Sequence, residues 1–249
     1  MNTNPDLLIN KIFNANSSNF EELALEVFNY QYINNEVYRQ YCNILKINCS
    51  DVVSYKQIPF LPIELFKTHK IISSEFKEDL IFESSGTTSS VNSKHYVVSK
   101  EVYETSFLKS FKVFYGDINQ YCTLGLLPSY LEKGNSSLVY MVDKLINLSQ
   151  HNESGFFLYD FENLKRKIID NEAKGQKSLL VGVTYALLDF FDLHPMKLSH
   201  TIVMETGGMK GRKIEMSRTE VHNHLKLCTG NINIHSEYGM TELLSQAYS

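Results

Sequence analysis

The sequence predicts an α/β fold with mainly parallel sheets flanked by helices, preceded by a helical segment. Three observations carry this. From about residue 80 onward, short strand-like apolar runs alternate with helical stretches, the pattern of parallel pairing. Several of the helical stretches open on residues that cap helices. The first 55 residues instead show apolar residues at helical spacing. The 249 residues are 43% hydrophobic and 21% charged, which suits one sizeable domain with a core.

Pro5 fits the first turn of a helix ahead of Leu7, Leu8, Ile12 and Phe13. Ser18 with Glu21 reads as a capping box before Phe20, Leu23, Ala24, Val27 and Phe28. A third helix carries Val37, Tyr41 and Ile44. Ile58-Pro59-Phe60-Leu61-Pro62 is extended and pinned by its two prolines. Strands are expected at 80–82, 95–98, 121–127, 156–159, 178–183, 201–204 and 231–235. Helices follow from Ser99, over about 138–148, from Asp160, over 185–193, from the box Ser217/Glu220, and after 235. No internal repeat or low-complexity linker interrupts the series.

A net charge of −4 gives no reason to expect nucleic acid or an anionic membrane as partner. The basic run Lys165-Arg166-Lys167 reads as a solvated helix face. Leu7-Leu8-Ile9 is too short for a signal core, and no window approaches the length of a membrane span. The four cysteines, Cys42, Cys49, Cys122 and Cys228, lack CxxC spacing and read as reduced thiols of a cytoplasmic protein. Cys228, beside Leu227, reads as core. His222 and His224 stand two apart on a predicted helix and point in different directions, and no structural metal is expected. His235 reads as pocket wall or core.

Three segments carry candidate chemistry. Glu83-Ser84-Ser85-Gly86-Thr87-Thr88-Ser89-Ser90 follows a predicted strand, and its hydroxyls and open backbone suit phosphate oxygens. It lacks the Gly-Lys pair of the P-loop; a surface turn is the alternative. Glu205-Thr206-Gly207-Gly208 follows another strand, and paired glycines let a ligand approach the main chain; an ordinary tight turn is the alternative. Ser236-Glu237-Tyr238-Gly239-Met240-Thr241-Glu242 offers an aromatic for stacking, a hydroxyl for phosphate and a carboxylate for Mg²⁺; a helix start capped by Thr241 is the alternative. All three are expected at the carboxyl ends of strands in one sheet, where open α/β sheets bind ligands.

In that order, the three segments resemble the adenylate-forming superfamily of acyl- and aryl-CoA ligases. Ile58-Pro-Phe-Leu-Pro-Ile-Glu-Leu-Phe-Lys-Thr-His69 and Leu127-Pro-Ser-Tyr-Leu-Glu-Lys-Gly-Asn-Ser-Ser-Leu138 are similar, more narrowly, to the LuxE-type acyl-protein synthetases. The resemblance implies a carbon–sulfur ligase using ATP and Mg²⁺. Its other substrates are a fatty or other small carboxylic acid and a thiol acceptor: a protein cysteine, a carrier protein or CoA. Ser84, Ser85, Gly86, Thr87, Thr88 and Ser89 would wrap the β- and γ-phosphates. Gly207 and Gly208 would border the adenine, with Tyr238 stacked on it and Gly239 beside it. Thr241 would touch the α-phosphate and Glu242 would help hold Mg²⁺. Neither nucleic acid nor integral membrane association is implied. A phenylacetate-type CoA ligase and a nucleotide-binding module without turnover are the alternatives. Strands 124–127 and 181–183 and the helix over 185–191 are rich in Leu, Val and Phe; they read as the lining of an acyl tunnel or as plain core.

Ser89 stands where the superfamily has Gly, and Lys94 lies two places beyond the usual lysine. Residues 1–249 would be the large nucleotide- and acyl-binding domain, with 1–55 as lead-in. The ribose anchor, the small lid domain with its adenylation lysine, and the acyl-accepting cysteine would come later. The expectation is that residues 1–249 alone bind ATP weakly and catalyse no measurable pyrophosphate exchange, whereas a longer product of the gene does. An exchange assay on both decides it; robust acyl-adenylate formation by the 249 residues would place the machinery elsewhere.

Overall fold

The computed structural model describes residues 4–84, 91–128, 134–207, 216–230 and 234–249. Ser85, Gly86, Thr87, Thr88, Ser89 and Gly208 lie outside the described residues. The chain divides into two compact units, residues 1–106 and 107–249.

The first unit opens with α1 (Pro5–Ile12), whose Asn4 side chain accepts from the Asp6 N–H. Next come α2 (Phe20–Asn34), α3 (Glu36–Ile44) and the single turn α4 (Leu65–Thr68). The capping box expected at Ser18 is not made. Asn19 is the N-cap residue, and Glu21 accepts instead from the Tyr55 N–H at 3.0 Å, beside the edge-on rings of Phe20 and Tyr55. Phe28, Tyr38, Cys42 and Val52 form a core cluster. α3 buries Tyr38 and Cys42, one position on from the Val37–Tyr41–Ile44 stripe, and Ile44 is 79% exposed. The reason is polar as well as apolar, because the Tyr38 hydroxyl donates to the Pro59 carbonyl at 2.8 Å and ties down the proline segment.

Strands β1 (Leu80–Glu83) and β2 (Lys94–Val97) pair antiparallel with each other, Leu80 opposite Val97 and Glu83 opposite Lys94. This corrects the expectation that all three candidate segments leave one sheet. β1 and β2 form a two-stranded sheet of their own, so the segment after Glu83 does not leave the large sheet. α5 (Lys100–Tyr115) follows, and the division between the units falls inside it.

The second unit runs β3 (Cys122–Leu126), α6 (Ser137–Ser149), β4 (Gly155–Phe156), α7 (Phe161–Lys174), β5 (Ser178–Gly182), α8 (Thr184–Leu193), β6 (Thr201–Glu205), α9 (Arg218–Thr229), β7 (Ile234–Gly239) and β8 (Gln246–Tyr248). The strands lie in the order β4-β3-β5-β6-β7-β8, and every pairing is parallel except β7 with β8. Local caps set the helix starts as the sequence predicts. Asp160 accepts from the Asn163 N–H, and Ser217 and Glu220 form a reciprocal box. Every residue of β3 and β5 is buried, as central parallel strands require.

The helix expected after residue 235 is absent. β7 continues through Tyr238, the chain turns at Met240–Leu243 with a 3.1 Å backbone bond, and β8 returns antiparallel. Long-range packing overrides the local cap signal. Tyr248 is buried against the rings of Phe111, Phe114 and Tyr115, and Ser236 and Ser249 exchange two backbone hydrogen bonds. Cys228 is half-buried and Leu227 is 85% exposed, while Val221, Leu225 and Thr229 are the residues that α9 buries.

The apolar segments considered for a tunnel pack closely. A side chain on Gly182 would meet the Leu187 Cγ at 2.8 Å and the Leu126 Cβ at 3.1 Å. Gly182→Ala is therefore expected to destabilise the fold by about 1–3 kcal/mol through overpacking. Leu187→Ala alone should cost about 2–5 kcal/mol. The double variant should cost less than the two added together. Urea unfolding of the three proteins measures this; strict additivity would show open space at the strand end.

Candidate functional site

The site grows from a carboxylate at the end of a buried strand. Glu205 closes β6, opposite Gly182 of β5 and Ser236 of β7. It is 7% exposed, so its charge needs donors. Its Oε2 accepts from the Thr184 hydroxyl at 2.9 Å and the Gly207 N–H at 2.8 Å. Its Oε1 accepts from the Ser236 hydroxyl. His222 of α9 brings Nε2 to 3.0 Å from that hydroxyl oxygen and 3.7 Å from Oε1. A Ser236 hydroxyl that donates to Glu205 must accept from His222, which places an imidazole proton on Nε2. Burial holds the His222 pKa down against the pull of Glu205, with Arg218 and Lys226 adding to the depression.

The neighbouring Glu237 is equally buried. Desolvation first, and then the nearby charge of Glu205, push its carboxyl up to about 8. Below that value Glu237 is an acid with a proton to donate.

Thr184, Glu205, Ser236 and Glu237 form one wall of a cleft of about 300 Å³ beyond the carboxyl ends of β6 and β7, beside the start of α8. Gly207, Arg218, Tyr238 and Gly239 also line it. Gly207 holds φ at +73°, and among the described residues nothing stands within 4 Å of where a side chain would project. A ligand can reach the main chain there. Tyr238 is 63% exposed and presents its ring. Arg218 opens α9 and reaches the Ser249 hydroxyl.

Of the candidate residues, the fold brings Gly207, Tyr238 and Gly239 together. Thr241 and Glu242 sit half-buried in the turn after β7; among the described residues the cleft lining ends at Gly239. Ser84 stands in the first unit, where its Oγ accepts from the Ser93 N–H at 2.9 Å. Lys94 pairs with Glu83 at 3.3 Å. His235 faces Tyr115, ring nitrogen to hydroxyl at 3.1 Å. Sequence reasoning named Glu205, Ser236 and Glu237 only as members of the candidate segments, with no role, and did not place His222 or Arg218 at the site. The available signal was the acidic residue that ends the apolar run Ile202-Val203-Met204.

The raised carboxyl of Glu237 has a consequence for stability. A proton is held more tightly in the folded chain than in the unfolded one, whose carboxyl titrates near 4.5. The stability this contributes is full below about 4.5 and is lost as pH rises through about 8. Against a Glu237→Gln variant, the wild-type chain should lose stability by a few kcal/mol, to order of magnitude, over that window. Unfolding midpoints of both proteins from pH 4.5 to 8.5 would test this; parallel curves would mean that Glu237 is ionised in the fold.

The family described as acyl-protein synthetase, LuxE, matches the chain over residues 10–245. No curated protein and no solved structure matches it. The matched span takes in the cleft and every element from α2 to β7. The chain belongs to the LuxE acyl-protein synthetase family.

Proposed function

We propose that the chain takes part in ATP-dependent activation of a fatty or other small carboxylic acid as its acyl-adenylate, followed by transfer of the acyl group to a thiol. The observation that carries this is the family match over residues 10–245, which includes a cleft combining an exposed aromatic ring, an open glycine and a cation. The substrate carboxylate attacks the α-phosphorus of ATP, and the bond to pyrophosphate breaks. A thiolate then attacks the acyl carbon, and AMP leaves with the bonding electrons. Positioning of anions and offset of their charge dominate such chemistry.

In this reading Tyr238 stacks on the adenine, and the Gly207 backbone lets it approach. Arg218 and the protonated Glu237 suit the cleft to an anion, because one supplies a positive charge and the other withholds a negative one. Thr241 serves the α-phosphate. On the resemblance, segment 84–89 takes phosphate oxygens. Glu242, a hard oxygen donor, would hold the Mg²⁺ that accompanies the nucleotide, which would offset phosphate charge.

A non-hydrolysable acyl-sulfamoyl adenosine tests the reading without turnover. Calorimetry should show it binding more tightly than AMP, with affinity that depends on acyl chain length. Tyr238→Ala should cost about 1–3 kcal/mol of that affinity, the worth of an aromatic–base stack. Glu242→Gln should weaken Mg²⁺-dependent ATP binding more than AMP binding. Equal affinity for the analogue in wild type and Tyr238→Ala would remove the adenine from this cleft.

A further inference from the structure

Where α9 packs against α8, a second group of side chains converges. Asp192 lies near the end of α8, and His224 and Cys228 stand one turn apart on α9. The His224 Nε2 is 2.6 Å from the Asp192 Oδ1 and 3.7 Å from the Cys228 Sγ. One oxygen, one nitrogen and one sulfur thus lie within 4.8 Å of one another. His222, two residues earlier, is turned the other way, toward Ser236 and Glu205.

A cysteine, a histidine and an aspartate together invite the reading of a nucleophile relay, but the geometry opposes it. A relay needs the carboxylate on one imidazole nitrogen and the thiol on the other. Here both face the same Nε2. Burial, and then the charge of Asp192, push the Cys228 thiol up, which disfavours a standing thiolate. Three ligand atoms of different kinds gathered within 4.8 Å of one another are instead the arrangement of a metal site.

We propose that Asp192, His224 and Cys228 form a binding site for one zinc-like divalent cation. The mixed oxygen, nitrogen and sulfur set suits Zn²⁺. Bonds of about 2.0–2.1 Å to nitrogen and 2.3 Å to sulfur separate the two by about 3.6 Å in a tetrahedron. The 3.7 Å between His224 and Cys228 already meets that spacing. The Asp192 oxygen must draw back from 2.6 Å to about 3.4 Å from the imidazole nitrogen for a tetrahedral angle. Its side chain is 44% exposed and has room to do so. The cation takes the place of the proton between Asp192 and His224, a neutral imidazole ligates it through Nε2 with its own proton on Nδ1, and the displaced protons, that of the Cys228 thiol included, pass to solvent. Water takes the fourth position. No sequence spacing announces the site, because its third ligand comes from another helix.

Titration of the reduced, metal-free chain with Co²⁺ reads the site directly. One equivalent should produce tetrahedral visible bands and a thiolate-to-cobalt charge-transfer band, and one equivalent of Zn²⁺ should abolish both. Cys228→Ser should remove the charge-transfer band. His224→Ala and Asp192→Asn should weaken binding beyond the roughly 10–100-fold that loss of an outer partner costs. Cys42→Ser, Cys49→Ser and Cys122→Ser should leave the spectrum unchanged. Circular dichroism checks that each variant is folded, and His224→Gln stands in if His224→Ala is not. A charge-transfer band that survives Cys228→Ser, or no saturable binding at all, overturns the proposal.

Discussion

A carboxylate taken out of water at the end of a parallel strand is expensive unless several donors meet it. Glu205 is met by the Thr184 hydroxyl, the Gly207 N–H and the Ser236 hydroxyl, and each comes from a different segment. The bonds tie the start of α8, the turn after β6 and the body of β7 to one point. Strand pairing holds β5, β6 and β7 in register as far as Gly182, Glu205 and Ser236, and the bonds to Glu205 add the start of α8 and the turn at Gly207 to that frame. The wall of the cleft is held in shape because this anion must be satisfied.

The same charge sets the protonation of its neighbours. It helps to keep Glu237 protonated, and it pulls against the burial that depresses His222. Two acids side by side in a place of low polarity do not both ionise readily. The result is a cleft with less negative charge than its sequence suggests, which suits the anionic substrates of the proposed function. An electrostatic reading based on formal charges would count both glutamates as repelling such substrates.

Much of the architecture was legible because it depends on local signals. The caps at Asp160 and at Ser217 with Glu220 act within four residues and appear where the sequence places them. Signals that lose to distant partners misled. Glu21 is taken by Tyr55 rather than by the Ser18 box, and the stretch after Tyr238 becomes a hairpin because Tyr248 finds an aromatic cluster more than 100 residues away in sequence. Gly207 and Tyr238 could be read as site residues because an open turn and an aromatic after a strand have meaning by themselves. Glu205, Ser236 and His222 could not. Their roles arise from the pairing of β6 with β7 and the seating of α9, which no short window contains.

α9 faces two ways. Its His222 reaches the sheet, while His224 and Cys228 reach α8. An α-helix advances about 100° per residue. A single inserted or deleted residue upstream of His222 would swing both faces out of phase at once, whatever amino acid it was. Substitutions in this helix are separable, one face at a time, but changes in its length are not. Between its capping box at Ser217 and its left-handed Gly230, α9 should therefore vary in composition while keeping its count of residues fixed.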